Sequence, residues 1–245
     1  MMVAKTIICM KWGTRYGPEF VNRLYRAVRR NVSGELRFIC FTDDASGLDN
    51  GVDAQALPPI TLPEEFAWTP WRKLSIWQYP LAGMEGDAIF LDLDLVITGS
   101  LDAMFEFAPG EYCVIENWTQ KGQGIGNTSA FKFPVGKFKE IFDRFEADPE
   151  AVLRDNRIEQ QYISRYITGQ KFWPSEWCIS FKHDLVPKFP MNWLRAPELP
   201  KEARIVAFTG KPDPDEAVAG RWPCPWYKAW YKHTKPATWV AEHWR

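Results

Sequence analysis

The sequence predicts an α/β fold in which a mostly parallel central sheet carries helices on both faces. Near its start, two apolar segments flank an amphipathic helical segment, and such a βαβ unit joins parallel strands. Further apolar segments alternate with helical ones along the chain. With 245 residues, of which 46% are hydrophobic and 25% charged, the composition is that of a globular protein. We therefore expect one domain spanning residues 1–245.

Three segments define the first βαβ unit. KTIICM (5–10) is a short apolar run rich in β-branched residues, which predicts a strand. A helix is predicted to begin at Pro18, because apolar residues then recur at helical spacing while arginines occupy the other faces. LRFICFTDD (36–44) predicts a second buried strand that ends in two acids. These two strands should be parallel neighbours.

The middle of the chain predicts a helix followed by a long strand. WRKLSIWQYPL (71–81) predicts a short helix that breaks before Pro80, because proline disfavours a helical conformation of the residue before it. AIFLDLDLVIT (88–98) predicts one continuous apolar strand. Only Asp92 and Asp94 interrupt it.

The rest of the chain alternates in the same way. Ser100 is the predicted N-cap of a helix, and SAFKFP (129–134) alternates as a half-buried strand does. The remaining segments are a strand at EYCVIEN (111–117), helices near 138–145 and 158–167, a strand at RIVAFTG (204–210), and an aromatic-rich tail at 211–245 that packs on the domain.

Composition excludes several classes of protein. The 30 basic and 31 acidic side chains give a formal net charge of −1, so no nucleic-acid partner is expected. Five scattered cysteines without a C-x-x-C pair predict buried thiols in a reducing compartment. The sequence shows no secretion signal and no run of about 18 apolar residues. We therefore expect a cytoplasmic protein.

Asp92 and Asp94 are the strongest candidates for a functional site. Two residues apart on a predicted strand, they should leave the same face of the sheet. A buried carboxylate is costly unless it is paired or coordinated, and hard oxygen ligands suit Mg²⁺ or Mn²⁺ shared with substrate phosphates. This pattern predicts a divalent metal site. The alternative is that the acids cap the following helix or pair with a buried arginine.

FLDLDLVITGSLDAMF (90–105) resembles the D-x-D segment of GT-A glycosyltransferases, in particular the retaining family 8 group that includes glycogenin and the bacterial lipopolysaccharide galactosyltransferases. FTDD (41–44), Trp71-Arg72-Lys73 and FTGKP (208–212) also occur in the family's order. The resemblance implies a GT-A-like, Rossmann-like fold. It further implies retaining transfer of a sugar from a nucleotide-diphosphate sugar, with a UDP-sugar favoured, to a glycan, lipid or protein acceptor.

The resemblance also implies roles for individual residues. Asp92 and Asp94 would hold Mn²⁺ or Mg²⁺ on the donor diphosphate, whose negative charge grows as the glycosidic bond breaks. Gly210 and Lys211 would face the phosphates, and Lys73 is a weaker candidate. A solvated surface position is the alternative for Lys73 and Lys211. The alternative for Trp12, in the loop after the first strand, is a position in the core. The base and ribose would be cradled by the loop after the first strand, through Lys11, Trp12, Gly13 and Tyr16.

The chain departs from the family pattern at the expected third metal ligand. The family has a histidine just before its late Gly-Lys-Pro stretch, where this chain has AFT (207–209). His233 in the tail is a candidate replacement, and the alternative is a surface or packed histidine. Lys11 and Gly13 also differ from the family's acidic and amide residues after the first strand, which leaves the base undefined.

Two further pairs of polar residues fit the resemblance. Glu159 and Gln160 loosely match the acid–Gln pair that the family places near the anomeric carbon. The alternative is a capping-box-like helix start formed by Asn156 and Glu159. Asn127 and Ser129 fall near the family's acceptor-side strand, where they would bind sugar hydroxyls. The alternative for this pair is that it satisfies the backbone of a turn.

Two other functions remain open. LDLDLV (91–96) also resembles the first motif of haloacid-dehalogenase-type phosphatases, in which Asp92 would be the nucleophile and Asp94 a general acid. That class needs a later acidic pair for magnesium, and Asp213 and Asp215 are flanked by prolines. The third option is a non-catalytic nucleotide- or sugar-binding module on a degenerate transferase scaffold, suggested by the missing histidine.

The C-terminal string RWPCPWYKAWYKHTKPATWVAEHWR (221–245) interleaves Trp and Tyr with Lys. Aromatic rings and lysines favour the boundary between membrane and water. This pattern predicts peripheral contact with the inner face of the membrane and a lipid-linked or nascent glycan acceptor. The alternative is that these aromatic residues cap the sheet or line an acceptor cleft.

Overall fold

The computed structural model describes residues 4–245. Its strands are β1 (Lys5–Lys11), β2 (Leu36–Thr42), β3 (Asp53–Ala56), β4 (Asp87–Leu91), β5 (Leu95–Ile97), β6 (Cys113–Glu116), β7 (Gly126–Pro134), β8 (Lys171–Phe172), β9 (Cys178–Ser180) and β10 (Ile205–Ala207). Its α-helices are α1 (Pro18–Asn31), α2 (Asp102–Glu106), α3 (Glu140–Ala147), α4 (Pro149–Asp155), α5 (Glu159–Tyr166), α6 (Pro214–Val218) and α7 (Thr238–His243). Shorter segments are 3₁₀ helices at Glu64–Phe66, Pro70–Trp77, Met191–Trp193 and Trp226–Lys228, and a π-helical turn at Phe181–Leu185.

The larger sheet confirms the predicted α/β fold. Its seven strands have the order β3-β2-β1-β4-β7-β6-β8, and β7 runs antiparallel to its neighbours while the other pairs are parallel. Helix α1 connects β1 to β2 and buries Val21, Leu24 and Val28 in the core on one face. The predicted βαβ unit is present, with Lys5 of β1 in register with Leu36 of β2.

The apolar segment 88–98 forms two strands, which corrects the prediction of one continuous strand. β4 ends at Leu91 in the larger sheet, whereas β5 begins at Leu95 in a separate sheet of order β5-β10-β9. Asp92 and Asp94 lie between these strands, so the inference that both leave one face of a strand is wrong. Periodicity did not reveal the break because the apolar pattern continues across the passage from one sheet to the other.

Three other local predictions change in detail. Pro70–Trp77 is a 3₁₀ helix rather than an α-helix. β7 (Gly126–Pro134) is buried along most of its length rather than half-buried, because it lies between β4 and β6 inside the sheet. Helix α2 begins at Asp102 with Leu101 at its N-cap. The Ser100 hydroxyl instead accepts a hydrogen bond from Asp102 N at 3.2 Å.

Apolar residues form a core on each face of the larger sheet. One core joins α1 to β1 and extends to β5 and β10, so the two sheets share packing. The other packs Pro70–Trp77, α3 and α5 on the opposite face, where the Trp77 ring stacks on Phe131 with centroids 5.5 Å apart. The prediction of buried, unpaired thiols is confirmed for four cysteines: Cys9, Cys40, Cys113 and Cys178.

Candidate active site

A cavity of about 660 Å³ opens at the edge of the larger sheet where its parallel strands end. The loop after β1 (12–16) and the segment after β4 (92–94) both line it. β7 runs antiparallel to β4, so its beginning (127–129) meets the same edge. Ligands of open α/β sheets collect at this edge. The start of α5 and the residues that follow β9 and β10 complete the lining.

Asp92 forms a buried ion pair with Lys73. The ammonium lies 2.7 and 2.8 Å from the two carboxylate oxygens, and the exposed fractions of the side chains are 7% for Lys73 and 22% for Asp92. Burial alone would lower the pKa of Lys73, but the negative charges of Asp92 and Glu159 raise it. Lys73 is therefore not a solvated surface lysine. It neutralises Asp92 and fixes its position.

Asp94 shares the cavity with Asp92 but has a different partner. Its carboxylate accepts a hydrogen bond of 3.2 Å from the hydroxyl of Tyr16, which belongs to the loop after β1. Burial and the neighbouring charge of Asp92 raise the pKa of Asp94 to about 7. Its negative charge is thus costly at neutral pH, and a cation that enters the cavity would stabilise that charge.

Glu159 is the first residue of α5 and is 2% exposed. One carboxylate oxygen accepts a hydrogen bond of 2.7 Å from the Thr128 hydroxyl, and the other is buried without a partner among the described residues. Burial raises the pKa of Glu159, while the charge of Lys73 opposes the shift. The N-cap of α5 is Ile158, and the Asn156 amide donates back into α4. The capping-box interpretation of Glu159 is therefore wrong.

Gln160, Asn127 and Ser129 line the same cavity. Asn127 Oδ1 accepts a hydrogen bond of 3.0 Å from Ser129 N. This contact satisfies a backbone group, as expected from the alternative in which the pair stabilises a turn. The Ser129 carbonyl oxygen in turn accepts a hydrogen bond of 2.8 Å from Asp92 N. The pair thus borders the acids and helps to fix the backbone between β4 and β5.

The acids of FTDD hold the loop after β1 in place. Gly13 N donates to the Asp43 carboxylate at 2.8 Å, and Lys11 Nζ donates to the Asp44 carbonyl oxygen at 3.2 Å. Gly13 has φ = +64°, and a Cβ at this position would lie 2.7 Å from the Trp68 ring, so a larger residue would be strained here. Two indole rings line the cavity beside this loop, those of Trp12 and Trp68.

Two predicted residues lie away from the cavity lining. The Lys211 ammonium is bonded to Asp213 at 2.6 Å and to Glu216 at 2.7 Å, two acids that also form the capping box of α6. His233 stacks on Trp193 with ring centroids 3.8 Å apart. The structure therefore does not bring Lys211 or His233 to the carboxylate pair, although Gly210 does line the cavity.

The cavity also contains residues that carry no motif. Lys182 and His183 line it from the π-helical turn that follows β9. Strand β9 has three residues, which is too short for a periodic pattern to reveal. In the sequence, the signal available for this strand was the apolar string CISF (178–181). Other lining residues of this kind are Arg15, Trp68, Asn117 and Trp118.

Asp92 and Asp94 are the residues of this cavity that could hold a divalent cation. Asp92 and Asp94 supply hard oxygen atoms, and the pKa of Asp94 is raised first by burial and then by the negative charge of Asp92. Within residues 4–245, no group of three His, Cys, Asp or Glu side chains could hold a metal. Ala207 stands near the position of the family's histidine.

No protein-family profile and no curated protein matches this sequence. Solved structures do match the fold. The galactosyltransferase LgtC, in complex with donor and acceptor sugar analogues, superposes with a TM-score of 0.59 at 11% identity, over 85% of this chain and 88% of that chain. The glycosyltransferase GlyE of Streptococcus pneumoniae TIGR4 has a TM-score of 0.58 at 13% identity, over 86% and 56%. For the bifunctional glycosyltransferase WbbM the TM-score is 0.56 at 13% identity, over 86% and 46%.

These likenesses identify the fold. The chain has the GT-A glycosyltransferase fold, and the predicted resemblance to the family 8 group is confirmed at that level. The matched region spans most of LgtC and about half of GlyE and WbbM. At identities of 11% to 13%, the likeness shows the fold alone.

Proposed function

We propose that this protein is a glycosyltransferase that moves a sugar from a nucleotide-diphosphate donor to an acceptor. One observation carries the proposal: a single cavity at the edge of a GT-A-like sheet gathers Asp92, Asp94, Glu159 and Gln160. A nucleotide sugar matches this lining, because its diphosphate binds a cation and its hexose binds polar side chains. LgtC, which shares the fold, was crystallised with donor and acceptor sugar analogues, and this supports the same class of ligand.

The nucleotide end of the donor would bind along the loop after β1. The Trp68 ring packs against Gly13, and the rings of Trp12 and Trp68 line the cavity and offer surfaces on which a base can stack. Lys11 and Tyr16 border the same region. The resemblance to family 8 favours a UDP-sugar as the donor.

Transfer breaks the bond between the anomeric carbon and a phosphate oxygen, and the electron pair stays on the leaving diphosphate. The acceptor hydroxyl oxygen bonds to the anomeric carbon, and its proton passes to an oxygen of the leaving diphosphate. Mn²⁺ or Mg²⁺ held by Asp92 and Asp94 would neutralise the charge on the diphosphate without proton transfer. Lys73 fixes Asp92 through the ion pair, and the Tyr16 hydroxyl orients Asp94. Retention of configuration follows from the family resemblance.

The sugar and the acceptor would bind at the wall formed by α5 and β7. Thr128 holds Glu159 through the buried hydrogen bond of 2.7 Å, which fixes the first turn of α5. The Gln160 amide would then hydrogen-bond the donor sugar near the anomeric carbon. Asn127 Nδ2 and the Ser129 hydroxyl, which take no part in the contact between Asn127 Oδ1 and Ser129 N, would bind acceptor hydroxyls. The phosphatase alternative has less support, because Asp213 caps α6 and pairs with Lys211.

A thermal-shift panel tests the donor site. One nucleoside diphosphate among UDP, GDP, CDP and ADP should raise the melting midpoint in Mn²⁺, because a ligand at about 100 times its Kd stabilises the folded state by about 2.7 kcal/mol. This corresponds to about 5–10 °C. EDTA and the Asp94→Asn substitution should each remove the manganese-dependent part of this shift in the melting midpoint. A wild-type panel without any shift would contradict the proposed function, and an unchanged shift in Asp94→Asn would exclude Asp94 from the site.

We also propose that the protein contacts a membrane peripherally. An exposed aromatic surface beside the tail supports this contact. Its side chains come from two segments, and the Trp193 indole N–H donates to the Trp230 carbonyl oxygen at 2.9 Å. Trp226 is 88% exposed and Trp230 59% exposed, whereas Val240 and Trp244 are buried. Part of the tail therefore caps the fold, while these aromatic rings stay exposed. We define the aromatic surface as five exposed aromatic side chains and one exposed leucine: Phe189, Trp193, Leu194, Trp226, Tyr227 and Trp230.

Charge also suits this surface to an anionic bilayer. Residues 221–237 contain four basic side chains and no acidic one, in a chain whose formal net charge is −1. No helix within residues 4–245 has both the length and the apolar character needed to cross a bilayer. Contact through the aromatic surface would bring the protein to the membrane that carries a lipid-linked acceptor.

Vesicle sedimentation tests the membrane contact. The wild type should sediment with vesicles that contain phosphatidylglycerol and less with pure phosphatidylcholine, because anionic lipid attracts the basic segment. The double variant Trp226→Ala/Trp230→Ala should lose most of this binding. Tyr79→Ala removes an aromatic residue that is 49% exposed elsewhere and should bind like the wild type. Equal sedimentation of all three proteins would end the membrane proposal.

A further inference from the structure

The cavity contains a lysine, Lys182, that belongs to no recognised motif. It follows β9, which runs parallel to β10, so residues just beyond these two strands are neighbours. The rings of Phe181 and Phe208 stack there with centroids 4.5 Å apart. The next residues along the two segments therefore meet, and Lys182 Nζ donates to the Thr209 carbonyl oxygen at 3.0 Å.

Hydrogen bonds within the turn fix the position of Lys182. The Ser180 hydroxyl accepts from His183 N at 3.3 Å, and the Asp184 carboxylate accepts from Ser180 N at 2.8 Å. Asp184, the acidic residue nearest to Lys182 in the sequence, is therefore bonded to the backbone. Burial and the charge of Lys232 lower the pKa of Lys182. The ammonium is half-buried at the cavity, with a neutral carbonyl as its partner and a second cation nearby, which favours binding of an anion.

The backbone after β10 connects Lys182 to the acid pair. Phe208 N donates to the Asp94 carbonyl oxygen at 3.3 Å, and Thr209 is the residue that binds Lys182. Gly210 follows with φ = +81° and also lines the cavity. Lys182 Nζ and the backbone carbonyl of Asp94 therefore bond to two consecutive residues, Thr209 and Phe208. Lys182 and Asp94 both line the cavity, and an ammonium and a cation-binding carboxylate in one cavity suit a diphosphate.

We infer that Lys182, and not Lys211, binds the diphosphate of the nucleotide donor. This inference rests on the proposed glycosyltransferase function and assigns the phosphate contact within it. Lys211 has two carboxylate partners at 2.6 and 2.7 Å, so its charge is already neutralised. Lys182 donates to phosphate oxygens as a point charge and stabilises the negative charge that remains when the bond to the sugar breaks. Its role is electrostatic and includes no proton transfer.

Matched lysine variants test this assignment by calorimetry in Mn²⁺. The ligands are the nucleoside diphosphate that shifts the wild type in the panel of UDP, GDP, CDP and ADP, and the corresponding nucleoside, which lacks phosphate. Lys182→Ala should weaken binding of the diphosphate at least about tenfold, as expected for a charge-assisted hydrogen bond. Nucleoside binding should stay within about twofold. Lys211→Ala should change neither affinity by more than about twofold.

The outcomes separate this inference from the proposed function. Loss of diphosphate affinity in Lys211→Ala but not in Lys182→Ala would overturn the inference and leave the transferase intact. Absence of binding by the wild type would overturn the function and the inference with it. Lys182→Gln keeps a hydrogen-bond donor without the charge and should weaken binding nearly as much. Melting midpoints of all variants verify folding, and Lys182→Gln replaces Lys182→Ala if the smaller side chain unfolds the turn.

Discussion

Asp94→Asn and Asp92→Asn are expected to shift the stability of the metal-free protein in opposite directions. Burial and the charge of Asp92 raise the pKa of Asp94 to about 7, well above its value in an unfolded chain. Ionisation of Asp94 therefore costs the folded state more than the unfolded state. The stability of the wild type should fall as pH rises from about 4 through about 7, and the asparagine variant should escape this loss.

Burial raises the pKa of Asp92 as well, but the charge of Lys73 opposes this shift, and this cationic partner makes the two variants differ. Asp92→Asn leaves the Lys73 ammonium, on a side chain that is 7% exposed, without its counter-charge. Breaking a buried ion pair costs about 3–5 kcal/mol, and the 22% exposure of Asp92 places this pair towards the lower end. Loss of about 3 kcal/mol lowers the melting midpoint by about 6–12 °C.

Melting curves in EDTA at pH 5, 6, 7 and 8 would measure both effects. Asp94→Asn should raise the midpoint by about 2–6 °C at pH 8, with a smaller gain at pH 5. Asp92→Asn should lower it throughout this range. If both substitutions destabilised the protein to the same extent at pH 8, the electrostatic difference between the two acids would be refuted.

Gln160→Ala is expected to reduce kcat by about 100-fold with little change in KM. The Gln160 amide is proposed to stabilise charge that develops at the sugar in the transition state, and removal of one such preorganised group costs about 10²–10³ in kcat. An interaction made mainly in the transition state affects kcat more than KM. The buried contact between Glu159 and Thr128 keeps the first turn of α5 in position.

Gln161 provides the matched control for this prediction. It is the same residue type one position further along α5, but it does not belong to the cavity lining among the described residues. Gln161→Ala should keep kcat and KM within about twofold of the wild type, since surface substitutions away from a site are usually within about 0.5 kcal/mol. Similar losses in both glutamine variants would indicate damage to α5 rather than a role for the Gln160 amide.

Part of this architecture could be predicted because the local pattern and the fold agree. The strand–helix–strand start is recognisable because apolar residues change from a run to helical spacing and back to a run. The D-x-D acids stand out because carboxylates are rare in such apolar segments. The break at Asp92–Asp94 was not predictable, since Leu91 and Leu95 belong to different sheets but continue one apolar pattern.

The remaining site residues depend on long-range contacts that the sequence does not display. Lys73 is separated from Asp92 by 19 residues, yet it forms the central ion pair. Lys182 enters the cavity because β9 pairs with β10, a pairing between two very short strands. Lys211 matches the family motif, but Asp213 and Glu216 engage it locally. A motif therefore identified the position of a lysine without showing which groups neutralise it.

The central claim is that Asp92 and Asp94 serve the cleavage of a nucleotide sugar in this cavity. Its most direct test is the release of nucleoside diphosphate from UDP-, GDP-, CDP- and ADP-hexoses in Mn²⁺ by the wild type and by Asp94→Asn. We predict release from one donor by the wild type, and loss of at least about 100-fold in the variant despite its higher melting midpoint. Undiminished, manganese-dependent release by folded Asp94→Asn, or no release from any donor by the wild type, would contradict the claim.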